Sequence, residues 1–249
     1  MTAQPDHRAA YYRRYVSAFK QRERPGSRWT HDAQQRWYDA HFGSWLGGAP
    51  RDAAVLELGA GDGSMLEWLR SAGFQNVRGV DISEEQAQLA RDRGNDVVVQ
   101  DAFQALDVAS GSLGGVVALD FLEHFTKPEV GELLRRAAAA LRPGGFLLLR
   151  TPNGEGLLAG HVVYGDLTHT TIFTPGSLHQ ALDLAGFADV SFQEATFVRD
   201  GLRGRLRGAA WDVIRAGADA VRRVQAGTSQ QIWIENLLCH ARTPAADTS

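Results

Sequence analysis

Between residues 53 and 149 the chain switches repeatedly between short apolar runs and helix-length amphipathic stretches, and this alternation constrains the fold most. Ala53–Leu58, Val77–Asp81, Asp96–Asp101, Gly115–Asp120 and Phe146–Leu149 read as strands. Between them, Ser64–Ala72, Glu84–Arg93 (capped by Ser83) and Pro128–Leu141 read as helices, the last ended by Arg142-Pro143-Gly144-Gly145. Strands alternating with helices of about ten residues specify βαβ units and a parallel sheet covered on both faces. Such a sheet binds ligands beyond the carboxyl ends of its strands, where the strand order reverses. Ala188–Glu194 and Gln231–Arg242 read as two further strands, with Gly201–Gly227 a basic helical insertion between them.

Composition excludes several alternatives. At 249 residues, 44% hydrophobic and 22% charged, the chain is that of an ordinary globular protein with one large core. A single cysteine excludes an intramolecular disulfide framework and a Cys-based zinc cluster. No run of 18 apolar residues exists, and the N-terminus has no apolar signal core, so the expected location is cytoplasmic. We expect one domain over 1–249, divided into a helical lid (1–50), a core with the active-site loop (51–198), the basic insertion (199–230) and the last strand (231–242). The net charge of −3 conceals a split: +4 over 1–50, −10 over 51–198 and +3 over 199–249.

The chemistry gathers at the strand ends. The first strand runs into Glu57-Leu58-Gly59-Ala60-Gly61-Asp62-Gly63, where glycines allow a tight turn and close approach of backbone to ligand. The spacing departs from a dinucleotide fingerprint, because Ser64 stands where that pattern needs its third glycine. Three acids end three consecutive strands: Glu57, Asp81 and Asp101. A carboxylate after the second strand can accept both ribose hydroxyls, one after the third can accept the adenine amine, and Glu57 can face an ammonium. A ligand offering ammonium, ribose and adenine without pyrophosphate is S-adenosylmethionine.

At these residues the sequence resembles the class I S-adenosylmethionine-dependent methyltransferases. The match runs through Val55–Gly63, Gly79–Ser83, Gln100–Phe103, Leu119–His124 and Leu141–Gly145. The resemblance implies an α/β, Rossmann-like fold: a seven-stranded, mostly parallel sheet with helices on both faces and an antiparallel last strand. It places Glu57, Gly59, Ala60, Gly61 and Gly63 around the methionine portion, Asp81 on the ribose and Ile82 against the adenine. Asp101, Ala102 and Phe103 frame the base, and Asp120 and Phe121 lie near the sulfonium. The product left behind would be S-adenosylhomocysteine. Tyr38 and Phe42, four apart on one helix face, are the expected lid contacts. Tyr11, Tyr12, Tyr15, Trp29, Trp37, Tyr38 and Phe42 beside basic residues also fit base stacking, but packing over the pocket is the simpler use.

Methyl transfer to an alcohol needs a general base, most often His or a carboxylate. The expected base is His169, oriented by Asp166 three residues earlier, with His124 second. Thr174 and Pro175 then open a helix that fixes the loop's exit. Asp120, Asn153, Asp166 and His169 offer a competing Mg2+ site, ranked below the base reading, so no metal is expected. Ser83–Gln86, Asp120–Lys127, Thr151–Gly154 and Tyr164–Thr174 resemble a bacterial methyltransferase subfamily associated with surface-polysaccharide and other glycan biosynthesis. That resemblance implies a sugar hydroxyl as acceptor, in a glycan or activated-sugar precursor. A quinone-like or natural-product phenol is the alternative acceptor, and a non-catalytic donor-binding module the alternative class. The residues after strand four lack the polar-Pro-Pro-aromatic pattern of nitrogen methylation, so nucleic acid is not expected as substrate. The apolar stripe of 201–227 is expected to cover the substrate side of the domain. Peripheral contact with the inner membrane face and homodimerisation stand as its other uses.

Overall fold

The computed structural model describes residues 30–107 and 109–246. The expected readings at Tyr11, Tyr12, Tyr15 and Trp29 lie outside them. The described chain forms α1 (His31–Leu46), β1 (Ala54–Leu58), α2 (Ser64–Ser71), β2 (Asn76–Asp81), α3 (Glu84–Asp92), β3 (Val97–Val99) and α4 (Ala102–Asp107). It continues with β4 (Leu113–Leu119), α5 (Lys127–Ala140), β5 (Leu141–Pro152), α6 (Gly160–Val163), α7 (Pro175–Leu184), β6 (Ala188–Glu194), α8 (Gly201–Ala226) and β7 (Asn236–Arg242).

The seven strands form one sheet in the order β3-β2-β1-β4-β5-β7-β6. β7 runs antiparallel to both its neighbours, and the other pairings are parallel. The expected Rossmann-like architecture is therefore observed. Strand order reverses at β1, which lies between β2 and β4, so the ligand crevice is fixed at their carboxyl ends. Register brings those ends level, since Leu58 pairs with both Val80 and Ala118, and Asp81 with Val99.

Two apolar cores flank the sheet. One packs Leu133, Leu134 and Ala137 of α5 and Leu178 and Leu182 of α7 against Leu56, Val116 and Leu147. The other packs Trp37, Phe42 and Leu46 of α1 and Leu66 and Trp68 of α2 against Val55, Val117 and Leu148. Each such aliphatic or aromatic side chain contributes about 1.5–3 kcal/mol on burial, enough to hold α1 against α2 and the sheet.

Some boundaries shift for physical reasons. β5 begins at Leu141, five residues earlier than the apolar run suggests, because Arg142–Gly145 folds into the strand as a bulge. Leu141 pairs with Leu113, and pairing resumes at Phe146 with Gly115. The last strand starts at Asn236 instead of Gln231. Upstream of it, the Ile232 and Ile234 carbonyls accept from Asn153 Nδ2, and Trp233 N donates to Glu194 Oε1 at 2.8 Å. Those groups are taken by side chains and not by a ladder. Thr174 and Pro175 open α7 as expected, with Thr174 Oγ1 accepting from Ser177 N.

Candidate functional site

Gly59, Gly61 and Gly63 all adopt positive φ, which turns the chain sharply between β1 and α2. At Gly59 (φ +67°) a Cβ would stand 2.5 Å from Phe121 Cδ2, so only glycine lets the Phe121 ring lie across this turn. The turn is clamped by Asp81, whose Oδ2 accepts from Gly61 N at 2.9 Å and whose Oδ1 accepts from Ser83 N at 2.8 Å. Asp101 Oδ1 accepts from Phe103 N and Gln104 N and so caps α4.

These residues line one cavity of about 750 Å3. Glu57, Gly59, Ala60, Gly61, Asp81, Ile82, Asp101, Ala102, Phe103, Asp120, Phe121 and Tyr38 all contribute to its wall. Gly63 stands just behind, as the cap of α2. Phe42 is corrected: it is fully buried between Tyr38 and Trp68 and belongs to the core. The Tyr38 hydroxyl accepts from Gln34 Nε2 at 3.0 Å, and burial pushes its phenol well above the usual range.

Glu57 is the cavity's most informative group. It is 3% exposed, and its Oε2 has no hydrogen-bond partner among the described residues. Burial raises its carboxyl well above the ordinary value, and the nearby Asp62 and Asp81 charges raise it further. A buried, unsatisfied carboxylate oxygen costs about 1–3 kcal/mol, more when charged, so it calls for a cationic partner. The residues therefore fit S-adenosylmethionine: an anionic pocket for its ammonium, a backbone-anchored carboxylate for its ribose, and Ile82 and Phe103 for its base.

Sequence reasoning missed Arg150. This side chain lines the cavity from the end of β5 and makes a two-point ion pair with Asp120, including Nε–Oδ1 at 2.7 Å. Asp120 itself holds φ +50°, a conformation costly for a non-glycine residue and typical of functional sites. The only sequence signal was an arginine ending an otherwise apolar strand.

The expected orientation of His169 by Asp166 is corrected: Val163 holds the His169 ring, and Asp166 acts through Thr168 on His124. His124 and His169 lie with ring centroids 5.1 Å apart, and both line the cavity with Asp166. Asp166 Oδ1 accepts from Thr168 N at 2.8 Å and from Thr168 Oγ1 at 2.6 Å. With its proton so committed, Thr168 Oγ1 accepts from His124 Nδ1 at 2.9 Å. His169 Nδ1 donates to the Val163 carbonyl at 3.2 Å. The carbonyl partner fixes the His169 proton on Nδ1, so His169 presents Nε2 as the basic nitrogen. Burial lowers the His124 pKa below the ordinary imidazole value, and the neighbouring His169 lowers it further.

Glu123 lies beneath the pair, 1% exposed, with Oε2 accepting from Thr151 Oγ1 and Oε1 without a partner among the described residues. Its backbone carbonyl accepts from Thr170 N and Thr171 N, which ties the histidine loop to the end of β4. Glu123, His124 and His169 each offer a ligating atom within 4.8 Å of the others, a set that could hold a divalent cation. The Mg2+ set weighed from sequence is not assembled in that form. Asp120 pairs with Arg150, and the Asn153 amide donates to the Ile232 and Ile234 carbonyls.

Comparison with known proteins agrees with this geometry. A family model described as a methyltransferase domain matches residues 8–191, and the chain belongs to that family. Among curated relatives, it is 30% identical over 114 residues to the ubiquinone biosynthesis O-methyltransferase of Bordetella avium, covering 43% of this chain and 46% of the relative. It is 34% identical over 113 residues to the 27-O-demethylrifamycin SV methyltransferase of Amycolatopsis mediterranei, covering 40% and 41%. The chain thus spans less than half the length of these curated relatives. Two solved structures share the fold. A SAM-dependent methyltransferase from Archaeoglobus fulgidus matches with TM-score 0.64 and 21% identity, covering 84% of this chain and 94% of that one. A second, from Mesorhizobium loti, matches with TM-score 0.60 and 19% identity, covering 86% and 100%. None of these names carries the surface-polysaccharide association.

Proposed function

We propose that this chain is an S-adenosylmethionine-dependent O-methyltransferase whose acceptor is a hydroxyl of a small, partly apolar molecule. The observation that carries the reading is the imidazole pair His124–His169 in the same cavity as the Glu57–Asp81 donor pocket. When bound, the donor supplies an activated methyl group, so the protein must align the acceptor and remove its proton. Glu57 and Asp81 hold the donor's ammonium and ribose. Asp120, fixed by Arg150, shapes the wall between donor and acceptor. His169 takes the hydroxyl proton on Nε2, and His124, held neutral by burial, does not oppose that positive charge. The chain Asp166–Thr168–His124 keeps the second ring in place.

Two observations support an acceptor of quinone-like or natural-product type. The curated relatives are named for ubiquinone biosynthesis and for a rifamycin. The segment bearing the acceptor-side residues also exposes Leu158, Tyr164 and Leu167, each more than 80% exposed, beside the cavity-lining His161 and Asp166. A sugar hydroxyl in a glycan or activated-sugar precursor is the second reading, favoured by the base itself, which an aliphatic alcohol needs more than a phenol. Incubation with methyl-labelled donor and a panel of phenols, polyketides and nucleotide sugars separates them by which acceptor gains label. Donor binding with no labelled acceptor would support a non-catalytic donor-binding module instead.

A further inference from the structure

Helix α8 is mounted inside out. The positions turned toward the body recur at three- and four-residue steps and, the aromatic Trp211 apart, are small or charged: Gly204, Gly208, Trp211, Arg215, Ala218 and Arg222. They dock through polar contacts. Trp211 Nε1 donates to Glu194 Oε2 at 3.3 Å, Arg215 faces the same carboxylate at 3.8 Å, and Arg222 faces Glu155 at 3.8 Å. The opposite face presents Leu202, Leu206, Val213, Ile214, Val221 and Val224 to solvent, at 54% to 91% exposure. The expected role of the stripe, covering the substrate side of the domain, is thereby corrected: the apolar face points away from it.

An apolar face of this length, left open on a 26-residue helix, marks an interaction surface. Its charge says what covers it. Residues 199–227 hold seven Arg and three Asp, a net of +4. Arg199 and Arg223 are neutralised by Asp212 and Asp219, which leaves the excess at Arg203, Arg205 and Arg207 in the first two turns. None of those three forms an ion pair among the described residues, although Arg207 lies over the Phe197 ring at 4.0 Å. Cations near a helix N-terminus oppose the macrodipole, so helix stability does not account for them. Two copies paired through this face would bring like charges together. An anionic bilayer complements both the aliphatic stripe and the arginines beside it.

We propose that the outward face of α8 docks on an anionic lipid surface. Leu202, Leu206 and Val213 enter the headgroup–acyl boundary, and Arg203 and Arg205 meet lipid phosphates. Arg222–Glu155 and the bond from Gln230 Nε2 to the Glu155 carbonyl join the helix to the loop that leads into the cavity. Docking therefore holds that loop near the membrane. This surface does not depend on the acceptor reading.

Flotation tests it, using the full chain with vesicles of equimolar phosphatidylglycerol and phosphatidylcholine, or of phosphatidylcholine alone. The protein is expected to float with the anionic vesicles, less in high salt, and to stay in solution with the neutral ones. Arg203→Glu with Arg205→Glu, and separately Leu206→Glu with Val213→Glu, should each lower vesicle partitioning by about tenfold or more. Both pairs lie outside the cavity, so S-adenosylhomocysteine binding should be unchanged and reports correct folding. Absence of flotation, or flotation that both variants retain, overturns the proposal. So does a dimer in sedimentation velocity that the Leu206→Glu/Val213→Glu protein loses, which would assign the face to a second copy.

Discussion

Thr168 Oγ1 stands 2.9 Å from His124 Nδ1 while donating to Asp166 Oδ1 at 2.6 Å, so one hydroxyl links a carboxylate two residues before it to an imidazole 44 residues before it in sequence. This link joins the end of β4 to the loop after β5, the two places from which an acceptor would be held.

Its function can be resolved by splitting roles. His169→Gln should lower kcat by about 10²–10⁴-fold, the range for loss of a general base. Thr168→Val and Asp166→Asn loosen the neighbouring His124 ring and not the base, so they should lower kcat by less than His169→Gln does. Donor affinity should stay unchanged in all three. Steady-state kinetics with calorimetric donor binding checks this; a loss confined to KM would remove the base assignment.

Glu57 links donor binding to stability. Its folded-state pKa lies well above the ordinary 4.5, so its contribution to stability is fully present below that value and lost as pH rises through the raised one. The donor-free protein should therefore lose Tm as pH climbs above about 4.5 toward neutrality. Glu57→Gln should reduce that slope and raise Tm at neutral pH, while weakening donor binding. Thermal melts across pH test it, and an unchanged slope would contradict it.

Gly59→Ala should be disruptive for two additive reasons. The backbone there is left-handed, and the new Cβ would meet the Phe121 ring at 2.5 Å. We expect a loss of about 1–3 kcal/mol in stability and weaker donor binding. The double variant Gly59→Ala/Phe121→Ala should recover stability and not turnover, as measured by denaturant melts and methyl transfer.

The Glu123–His124–His169 cluster allows a direct test of metal use. If His169 acts as the base, chelation leaves turnover unchanged, and added Mg2+, Mn2+ or Zn2+ does not raise it. Loss of activity on chelation, restored by one cation, would make the histidines ligands instead.

Much of this site was legible in the sequence because it is local. Glu57-Leu58-Gly59-Ala60-Gly61-Asp62-Gly63 specifies both a turn and its ligand within seven residues, and Asp81 and Asp101 follow at strand ends set by the βαβ repeat. What was hidden depends on contacts between distant segments. Thr168 carries no signal of its own in the sequence, and only the folded loop shows that it reaches His124. Arg150 could not be matched with Asp120 without the β4–β5 register that brings the two strand ends together. The direction of α8 was hidden for a related reason. Its apolar periodicity suggests burial, and nothing local reveals that Glu194 and Glu155 dock the polar face.

Asp81 clamps the cavity proposed to hold S-adenosylmethionine. Calorimetric titration of S-adenosylhomocysteine into the wild type and Asp81→Ala proteins tests it most directly. Asp81 anchors Gly61 N and Ser83 N and would accept from the ribose, so its loss should weaken binding by about 100-fold or more, since each charged hydrogen bond contributes roughly 1.5–3 kcal/mol. Equal affinity in the two proteins, or no binding to the wild type, would place the donor elsewhere.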